Sequence, residues 1–155
     1  MARKLKNRFR DMNEDDLREW SKRTRNQAVK LYDEKPKAKA KGGKRKDLDN
    51  IYFRSSWEAN MARFYNFHNI KWEFEPREFY FEGIRKGCVS YTPDFYLRET
   101  DEWIEVKGYM DARSRTKLNR FKKYYPEEYK KLTIIDGPKY KEIEKLYNRI
   151  IEHWE

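Results

Sequence analysis

The sequence runs Tyr91-Thr92-Pro93-Asp94-Phe95 and then, eleven residues after Asp94, Glu105-Val106-Lys107. Both carboxylates stand beside apolar residues at strand-like spacing, and the pattern therefore predicts two short strands. Residues two apart on a strand share one face, so Glu105 and Lys107 point the same way. We expect the two strands to bring Asp94, Glu105 and Lys107 to a single point.

Two carboxylates and one ammonium at a single point suit a divalent cation. Mg²⁺ usually takes one or two carboxylates and leaves its other positions to water and substrate phosphate. The cation lowers the pKa of a bound water and stabilises charge on the phosphorus under attack. The pattern favours a metal-assisted phosphodiester hydrolase, in which Mn²⁺ would substitute for Mg²⁺. The alternative interpretation is a hairpin edge with solvated charges.

A third carboxylate, Glu58, lies in the first turn of a predicted helix whose N-cap is Ser55 or Ser56. The apolar residues that give this helix its period are Trp57, Met61, Phe64 and Tyr65. Glu58 falls on or beside the face that should be buried, where an unpaired carboxylate is costly. It is interpreted either as a first-turn residue favoured by the helix dipole or as a third metal-site carboxylate.

The other elements follow from the same patterns. Strands are predicted at 71–76, 79–81 and 131–136, with a glycine-containing turn between the second of these and Tyr91. A basic amphipathic helix is predicted over 114–125 and a further helix over about 138–154. The fold class is therefore α/β, with a mixed sheet flanked by helices.

This ordered set of motifs resembles the PD-(D/E)xK nuclease superfamily and, within it, the phage endonuclease I type of Holliday-junction resolvase. The resemblance covers about residues 51–136. Its motifs are Arg54-Ser55-x-x-Glu58, Ile70-Lys71-Trp72-Glu73-Phe74-Glu75, Tyr91-Thr92-Pro93-Asp94-Phe95 and Glu105-Val106-Lys107-Gly108, followed by the basic helix. Archaeal-type resolvases, transposon-end nucleases and single-motif homing nucleases share the same core.

The resemblance implies a restriction-endonuclease-like core acting on branched DNA such as Holliday junctions. It implies that Glu58, Asp94 and Glu105 hold the metal ions and that Lys107 is the catalytic lysine. It also implies an intertwined, domain-swapped homodimer, in which the first helix of one chain completes the site of the other. The residues expected to contact DNA are Arg113, Arg115, Lys117, Arg120, Lys44, Arg45 and Lys46.

Charge divides the chain into a basic, helical N-terminal extension over 1–50 and a nuclease domain over 51–155. The net charge is +10, and the extension holds 17 Lys or Arg against 9 Asp or Glu. A short helix is predicted near 13–21, and the cationic run 35–46 is typical of a linker. Beside a phosphodiesterase site, such an extension is expected to contact phosphates.

The rest of the composition narrows the class of protein. Aromatic residues make up 17% of the chain, and most are expected in the core. The single Cys88 fits a reducing cytoplasm, which is the host cytoplasm for a phage protein. No long apolar span or signal peptide is evident, so no membrane association is expected. His68 and His153 lack partners at metal-ligand spacing, which makes zinc an unexpected cofactor.

Two alternatives to a junction-resolving enzyme remain at this point. One is a sequence-guided nicking or homing-type endonuclease of the same fold, which would use the N-terminal extension to read bases. The other is a catalytically idle DNA-binding module. The set of Glu58, Asp94, Glu105 and Lys107 favours an enzyme, because a module that only binds DNA has no need of carboxylates beside a phosphate.

Overall fold

The computed structural model describes residues 41–155, and the predicted short helix at 13–21 and the first part of the cationic run lie outside this range. The first elements are β1 Lys41–Arg45, a 3-10 helix Lys46–Leu48, β2 Ile51–Ser55 and α1 Ser56–Phe67. The next are β3 Trp72–Phe74, β4 Phe79–Tyr80, β5 Ser90–Tyr91, β6 Phe95–Leu97 and β7 Glu102–Lys107. The last are α2 Ala112–Tyr124, α3 Pro126–Tyr129, β8 Leu132–Asp136 and α4 Gly137–Tyr147.

The described residues form a mixed α/β structure with four helices and a mixed sheet. They fall into two compact units, one of residues 72–137 and one that combines residues 41–71 with 138–155. None of the helices within 41–155 has the length and apolar character needed to cross a bilayer. The predicted mixed sheet with accompanying helices is confirmed.

The sheet of the 72–137 unit has the strand order β3-β6-β7-β8. The β3–β6 and β6–β7 pairs are antiparallel, whereas β7 and β8 are parallel. Parallel neighbours need a long crossover connection, and here α2 and α3 provide it. β7 is thus hydrogen-bonded along both edges. Its consecutive residues Trp103 and Ile104 point to opposite faces and are both buried, so both faces of β7 are covered there.

Aromatic side chains form the core beside this sheet. Phe79, Phe81, Tyr91, Trp103 and Phe121 are all buried in one cluster. The ring centroids of Phe79 and Phe121 are 4.9 Å apart. Those of Phe79 and Trp103 are 5.2 Å apart, and the planes of these two rings are nearly perpendicular. Such tilted and edge-on contacts are favourable for aromatic quadrupoles. The expectation that most aromatic residues serve the core is confirmed for this cluster.

β4 and β5 form a small antiparallel pair, and the segment between them carries the predicted glycine turn. Gly83 has φ of 77° and Gly87 has φ of 76°. Only glycine adopts this conformation without steric cost, which explains why the segment turns at these positions. The turn places Tyr91 opposite Phe79, in the aromatic cluster.

The second unit contains a two-stranded antiparallel ribbon made of β1 and β2. The linker prediction for 35–46 is therefore wrong over 41–45, because these residues pair with β2 from Ile51 to Ser55. Two glycines in the sequence Lys41-Gly42-Gly43 and a high density of lysine made the segment look unstructured. Its hydrogen bonds to β2 and the burial of Arg45 outweigh that low intrinsic propensity.

α1 begins where the sequence predicted. Ser55 is the N-cap, and its hydroxyl oxygen accepts a hydrogen bond from the backbone N–H of Glu58. α4 packs its buried face of Tyr140, Ile143 and Tyr147 in the same unit, with Tyr147 5.1 Å from Phe64 between ring centroids.

The C-terminal helix is shorter than its predicted span of 138–154. α4 ends at Tyr147, and the chain then turns. His153 adopts a positive φ of 60°. The turn brings Trp154 back to Tyr140, with 6.1 Å between the ring centroids. In a straight helix the fourteen-residue step between these positions would span about 21 Å, so this contact requires the helix to end early.

An ionic network fixes this unit. Arg63 is only 6% exposed, and its guanidinium donates to Asp47 at 2.7 Å, to Glu155 at 2.9 Å and to Asn60 at 2.9 Å. Glu155 also accepts from Arg45 at 2.8 Å. Burial alone would lower the pKa of Arg63, but the hydrogen bonds and charges of its two carboxylate partners raise it. Each charged side chain of this network therefore has a partner of opposite charge.

Replacing Arg63 tests the network, because removal of one partner leaves buried charges uncompensated. Arg63→Met should lower the free energy of unfolding by about 3 kcal/mol, measured by urea denaturation followed by tryptophan fluorescence. The control is Lys130→Met, which breaks an exposed pair with Glu127 and should cost less than about 1 kcal/mol. Equal effects of the two substitutions would contradict a structural role for the network.

Candidate functional site

Asp94 stands directly before β6 and is nearly buried, with 4% exposure. Its Oδ2 atom accepts a hydrogen bond of 2.7 Å from the backbone N–H of Val106 on β7. Phe95 pairs with Ile104, so Asp94 continues the register toward Glu105. The β6–β7 pairing therefore delivers the Asp94 carboxylate to the strand segment that carries Glu105 and Lys107.

Glu105 is half-buried on β7, opposite Ile134 of β8. Its Oε2 atom accepts a hydrogen bond of 2.8 Å from the hydroxyl of Tyr91. Tyr91 lies on β5 and is 3% exposed. One carboxylate oxygen is thereby held by a side chain that is itself fixed in the aromatic cluster.

The Tyr91 hydroxyl lies within the field of both carboxylates. Burial, followed by the charge and hydrogen bond of Glu105 and then the charge of Asp94, raises the pKa of Tyr91 well above its usual value of 10. A negative charge on Tyr91 would lie in a dry region beside two other negative charges. The structure thus brings Asp94 and Glu105 together around a phenol that stays protonated.

Lys107 is the last residue of β7, two positions beyond Glu105 and half-buried. The alternation of a strand places both side chains on one face, as the sequence predicted. Lys107 pairs in register with Asp136 of β8, and its charge is among those that lower the pKa of Asp111, after the hydrogen bonds from Ser114.

Glu58 belongs to the other unit and has a local structural role. Its Oε2 atom accepts from the backbone N–H of Arg54 at 2.9 Å, and its Oε1 atom accepts from the Ser55 hydroxyl at 2.9 Å. Together with the Ser55 cap, this is a form of capping box. The sequence interpretation of Glu58 as a favourable first-turn residue agrees with these contacts.

Asp94 and Glu105 supply the donor type that a hard cation requires. Carboxylate oxygens from one or two side chains, completed by water and substrate phosphate, are the usual protein share of a Mg²⁺ site. Within 41–155 no group of three or more His, Cys, Asp or Glu side chains is arranged to hold a metal ion. Asp94 and Glu105 could therefore supply two carboxylates to a hard cation.

The basic residues expected on helix 114–125 are not equivalent. Arg113 and Arg115 are exposed at the N-terminal end of α2, and Lys117 is half-buried. Arg120 donates to the backbone carbonyl of Cys88 at 2.6 Å, which commits part of its guanidinium to holding the β4–β5 segment. Of the four residues expected to contact DNA on this helix, Arg113 and Arg115 are therefore the exposed ones.

The three cationic residues at 44–46 also differ in their exposure to solvent. Lys44 and Lys46 are exposed, whereas Arg45 is 9% exposed and paired with Glu155. Arg45 therefore has a structural role through its ion pair with Glu155, and its contact with DNA stays a prediction. The sequence could not show this, because adjacent residues on a strand point to opposite faces and its outward face was not known.

Tyr91 is a site residue whose role no sequence pattern predicts. It lies at the start of the Tyr91–Phe95 motif, but its contact with Glu105 depends on the β4–β5 pairing and not on local spacing. One signal was available: a tyrosine in an apolar strand must find a partner for its hydroxyl when buried. The nearby carboxylates were the obvious partners.

No family model, curated protein or solved structure matches this chain. A functional assignment therefore depends on the residues themselves, on their contacts in the two units and on the motif resemblance.

The Tyr91 hydroxyl leads to a pH prediction. Folding raises the pKa of Tyr91 above its unfolded value near 10. The contribution of the protonated hydroxyl to the free energy of unfolding is therefore complete below pH 10 and is lost as the pH rises further. The stability difference between wild type and Tyr91→Phe should therefore shrink by about 1.4 kcal/mol per pH unit above pH 10. Urea denaturation at several alkaline pH values measures it, and a pH-independent difference would contradict the buried Tyr91–Glu105 contact.

Proposed function

We propose that this chain is a metal-dependent DNA endonuclease with a restriction-endonuclease-like core, of the PD-(D/E)xK type. The observation that carries the proposal is the meeting of Asp94 and Glu105 around the Tyr91 hydroxyl, with Lys107 on the same strand face as Glu105. These are the carboxylate and lysine positions that the motif requires. Two independent strands supply them, so their proximity does not follow from sequence adjacency.

The arrangement of strands supports the same proposal. An antiparallel β6–β7 pair carries the acidic residues, and β7 continues through a basic helix to the parallel strand β8. A purely structural explanation of the motif, a hairpin edge with solvated charges, does not fit β7. β7 is an interior strand, and Asp94 is nearly buried.

In the proposed mechanism, Asp94 and Glu105 would hold Mg²⁺ or Mn²⁺. A cation bound there would lower the pKa of a water and stabilise charge on the scissile phosphate. The Val106 N–H orients the Asp94 carboxylate, and the Tyr91 hydroxyl orients Glu105. Lys107 places a positive charge where it can bind the phosphate or position the attacking water.

DNA is the proposed substrate because the chain carries a net charge of +10. Arg113, Arg115, Lys44 and Lys46 are exposed and available for phosphates, and Lys117 is half-buried. Neutralising phosphates releases counterions, which gives affinity without sequence preference. Four further parts of the proposal come from the endonuclease I resemblance. They are branched DNA as the substrate, a domain-swapped homodimer, a metal-site role for Glu58 and the host cytoplasm as the location.

A catalytically idle DNA-binding module is the second candidate. It is favoured by one observation, that both oxygens of Glu58 already serve the cap of α1. Incubation with duplex, single-stranded, flapped and four-way junction DNA, with and without Mg²⁺ or Mn²⁺, separates the two. Cation-dependent cleavage supports the enzyme, and binding without cleavage supports the module.

Isosteric substitutions test the chemistry. Asp94→Asn and Glu105→Gln keep an oxygen for Val106 and Tyr91, respectively, so both variants should fold. Each should lower the cleavage rate about 1,000-fold or more, while DNA affinity without divalent cation stays equal or rises. The affinity rises because a negative charge near phosphate has been removed. Cleavage is measured on labelled DNA and affinity by fluorescence anisotropy.

Two further substitutions complete that series. Lys107→Met keeps the apolar stem and removes the charge, and should cost about 100- to 1,000-fold in rate. Glu99→Gln changes an exposed carboxylate in the segment between β6 and β7 and should leave the rate unchanged. Near wild-type cleavage by Asp94→Asn or Glu105→Gln would remove the central claim.

The proposed dimer predicts a preference for junctions and active sites shared between chains. Two sites related by a two-fold axis match two symmetry-related strands of a four-way junction. Glu58→Gln retains the cap, since glutamine also serves in a capping box, and should lose cleavage if Glu58 holds the cation. A Glu58→Gln chain refolded with a Glu105→Gln chain should regain cleavage if Glu58 acts in the partner's site.

The homodimers of each variant are the controls for that mixing experiment, and neither should cleave. Full cleavage by Glu58→Gln alone would restrict Glu58 to its cap. Equal cutting of linear duplex and junction at the same salt concentration would reject the resolvase branch and leave the general nuclease proposal in place.

A further inference from the structure

The β1–β2 ribbon has two chemically different faces. Phe53 is fully buried, and its neighbours Tyr52 and Arg54 are exposed. Lys44 pairs with Tyr52 across the ribbon and is also exposed. Because neighbours on a strand alternate between faces, burial of Phe53 fixes Tyr52 and Arg54 on the outer face. That face, formed by Lys44, Tyr52 and Arg54, is named the outer ribbon face.

The hydroxyl end of the Tyr52 side chain lies over Gly42 of β1. A Cβ atom added to Gly42 would lie 3.1 Å from the Tyr52 hydroxyl and 2.8 Å from the carbonyl oxygen of Arg54. The hydroxyl end of the ring therefore reaches across to β1 over a glycine that leaves room for it. The side chain nevertheless remains 56% exposed. A large aromatic surface is thus presented to solvent from a paired strand.

Tyr52 differs from the exposed Tyr80 in its charged neighbours. Tyr80 is 62% exposed, but its hydroxyl donates to the carboxylate of Glu78 at 2.7 Å. Negative charge there opposes the approach of a polyanion. Tyr52 has Lys44 directly across the ribbon and Arg54 two residues further along its own strand. The outer ribbon face therefore combines an aromatic ring with two positive charges.

We propose that the outer ribbon face binds an unpaired segment of single-stranded DNA, with a base stacked on Tyr52 and phosphates beside Lys44 and Arg54. The proposal rests on the proposed function, since it assumes a DNA substrate. Every base offers a π-face, so stacking on an aromatic side chain tolerates any sequence. Bases in a duplex are already stacked, so the partner is an unpaired strand of the kind found at forks and flaps.

The experiment measures binding of the full chain to a labelled oligothymidine by anisotropy, without divalent cation so that no cleavage occurs. Tyr52→Ala should weaken binding about tenfold, and Tyr52→Phe should stay within about twofold of wild type. Tyr52→Leu retains apolar bulk without a π-system and should behave like Tyr52→Ala. Circular dichroism of each variant confirms that the ribbon unit is folded.

An abasic oligonucleotide of the same length isolates stacking. It keeps every phosphate and lacks the bases, so wild type and Tyr52→Ala should bind it equally. Lys44→Gln should reduce the slope of log affinity against log salt by about 0.7 on the single strand. Tyr80→Ala is the matched control and should bind as wild type does.

Two outcomes overturn the inference in distinguishable ways. If Tyr52→Ala and Tyr52→Leu bind oligothymidine as tightly as wild type does, stacking is rejected while the endonuclease proposal stands. An equal loss for Tyr52→Ala on abasic and normal strands rejects stacking in the same way. If wild type binds neither single-stranded nor duplex DNA, both proposals fail together.

Discussion

Pairing of β7 with β6 on one side and β8 on the other is the constraint on which the candidate site depends. It makes β7, with its buried Ile104 and Val106, an interior strand and turns the backbone N–H of Val106 toward the Asp94 carboxylate. A shift of one residue in the β6–β7 register would move Glu105 and Lys107 to the opposite face of the sheet. The chemistry proposed for these groups is therefore tied to the apolar residues between them, which hold the register.

Aromatic packing then sets the environment of that site. The chain is short of aliphatic side chains, and the cluster around Phe79 and Phe121 does much of the work that leucine and isoleucine do elsewhere. Tyr91 belongs to this cluster through its ring and to the site through its hydroxyl. Tyr91 thus connects the packing of the core to the orientation of Glu105. Substitutions in the aromatic cluster would therefore change the position of the Glu105 carboxylate and lower the stability of the protein.

Local sequence patterns predicted the secondary-structure elements better than they predicted which side chains are buried. The strand that follows Asp94, the strand that contains Glu105 and the N-cap at Ser55 follow from alternation and capping chemistry, and the structure contains all three. The strand β1 was missed because its glycines and lysines have low strand propensity, and only pairing with β2 reveals it. Likewise, no local pattern distinguishes the buried Arg45 from the exposed Lys44, because their difference depends on a carboxylate 110 residues away from Arg45.

That distant carboxylate has a consequence for the order of folding. Arg63 and Glu155 are separated by 92 residues, so the unit built on α1 cannot be completed until the C-terminal segment has been synthesised. Closing a flexible loop of that length costs about 4 kcal/mol in chain entropy. Residues 72–137, which form their own compact unit, lie within this loop. During synthesis the ribbon and α1 cannot complete their contacts until residues 138–155 have been made. The segment that contains Asp94 and Glu105 can fold earlier, because its contacts are of shorter range.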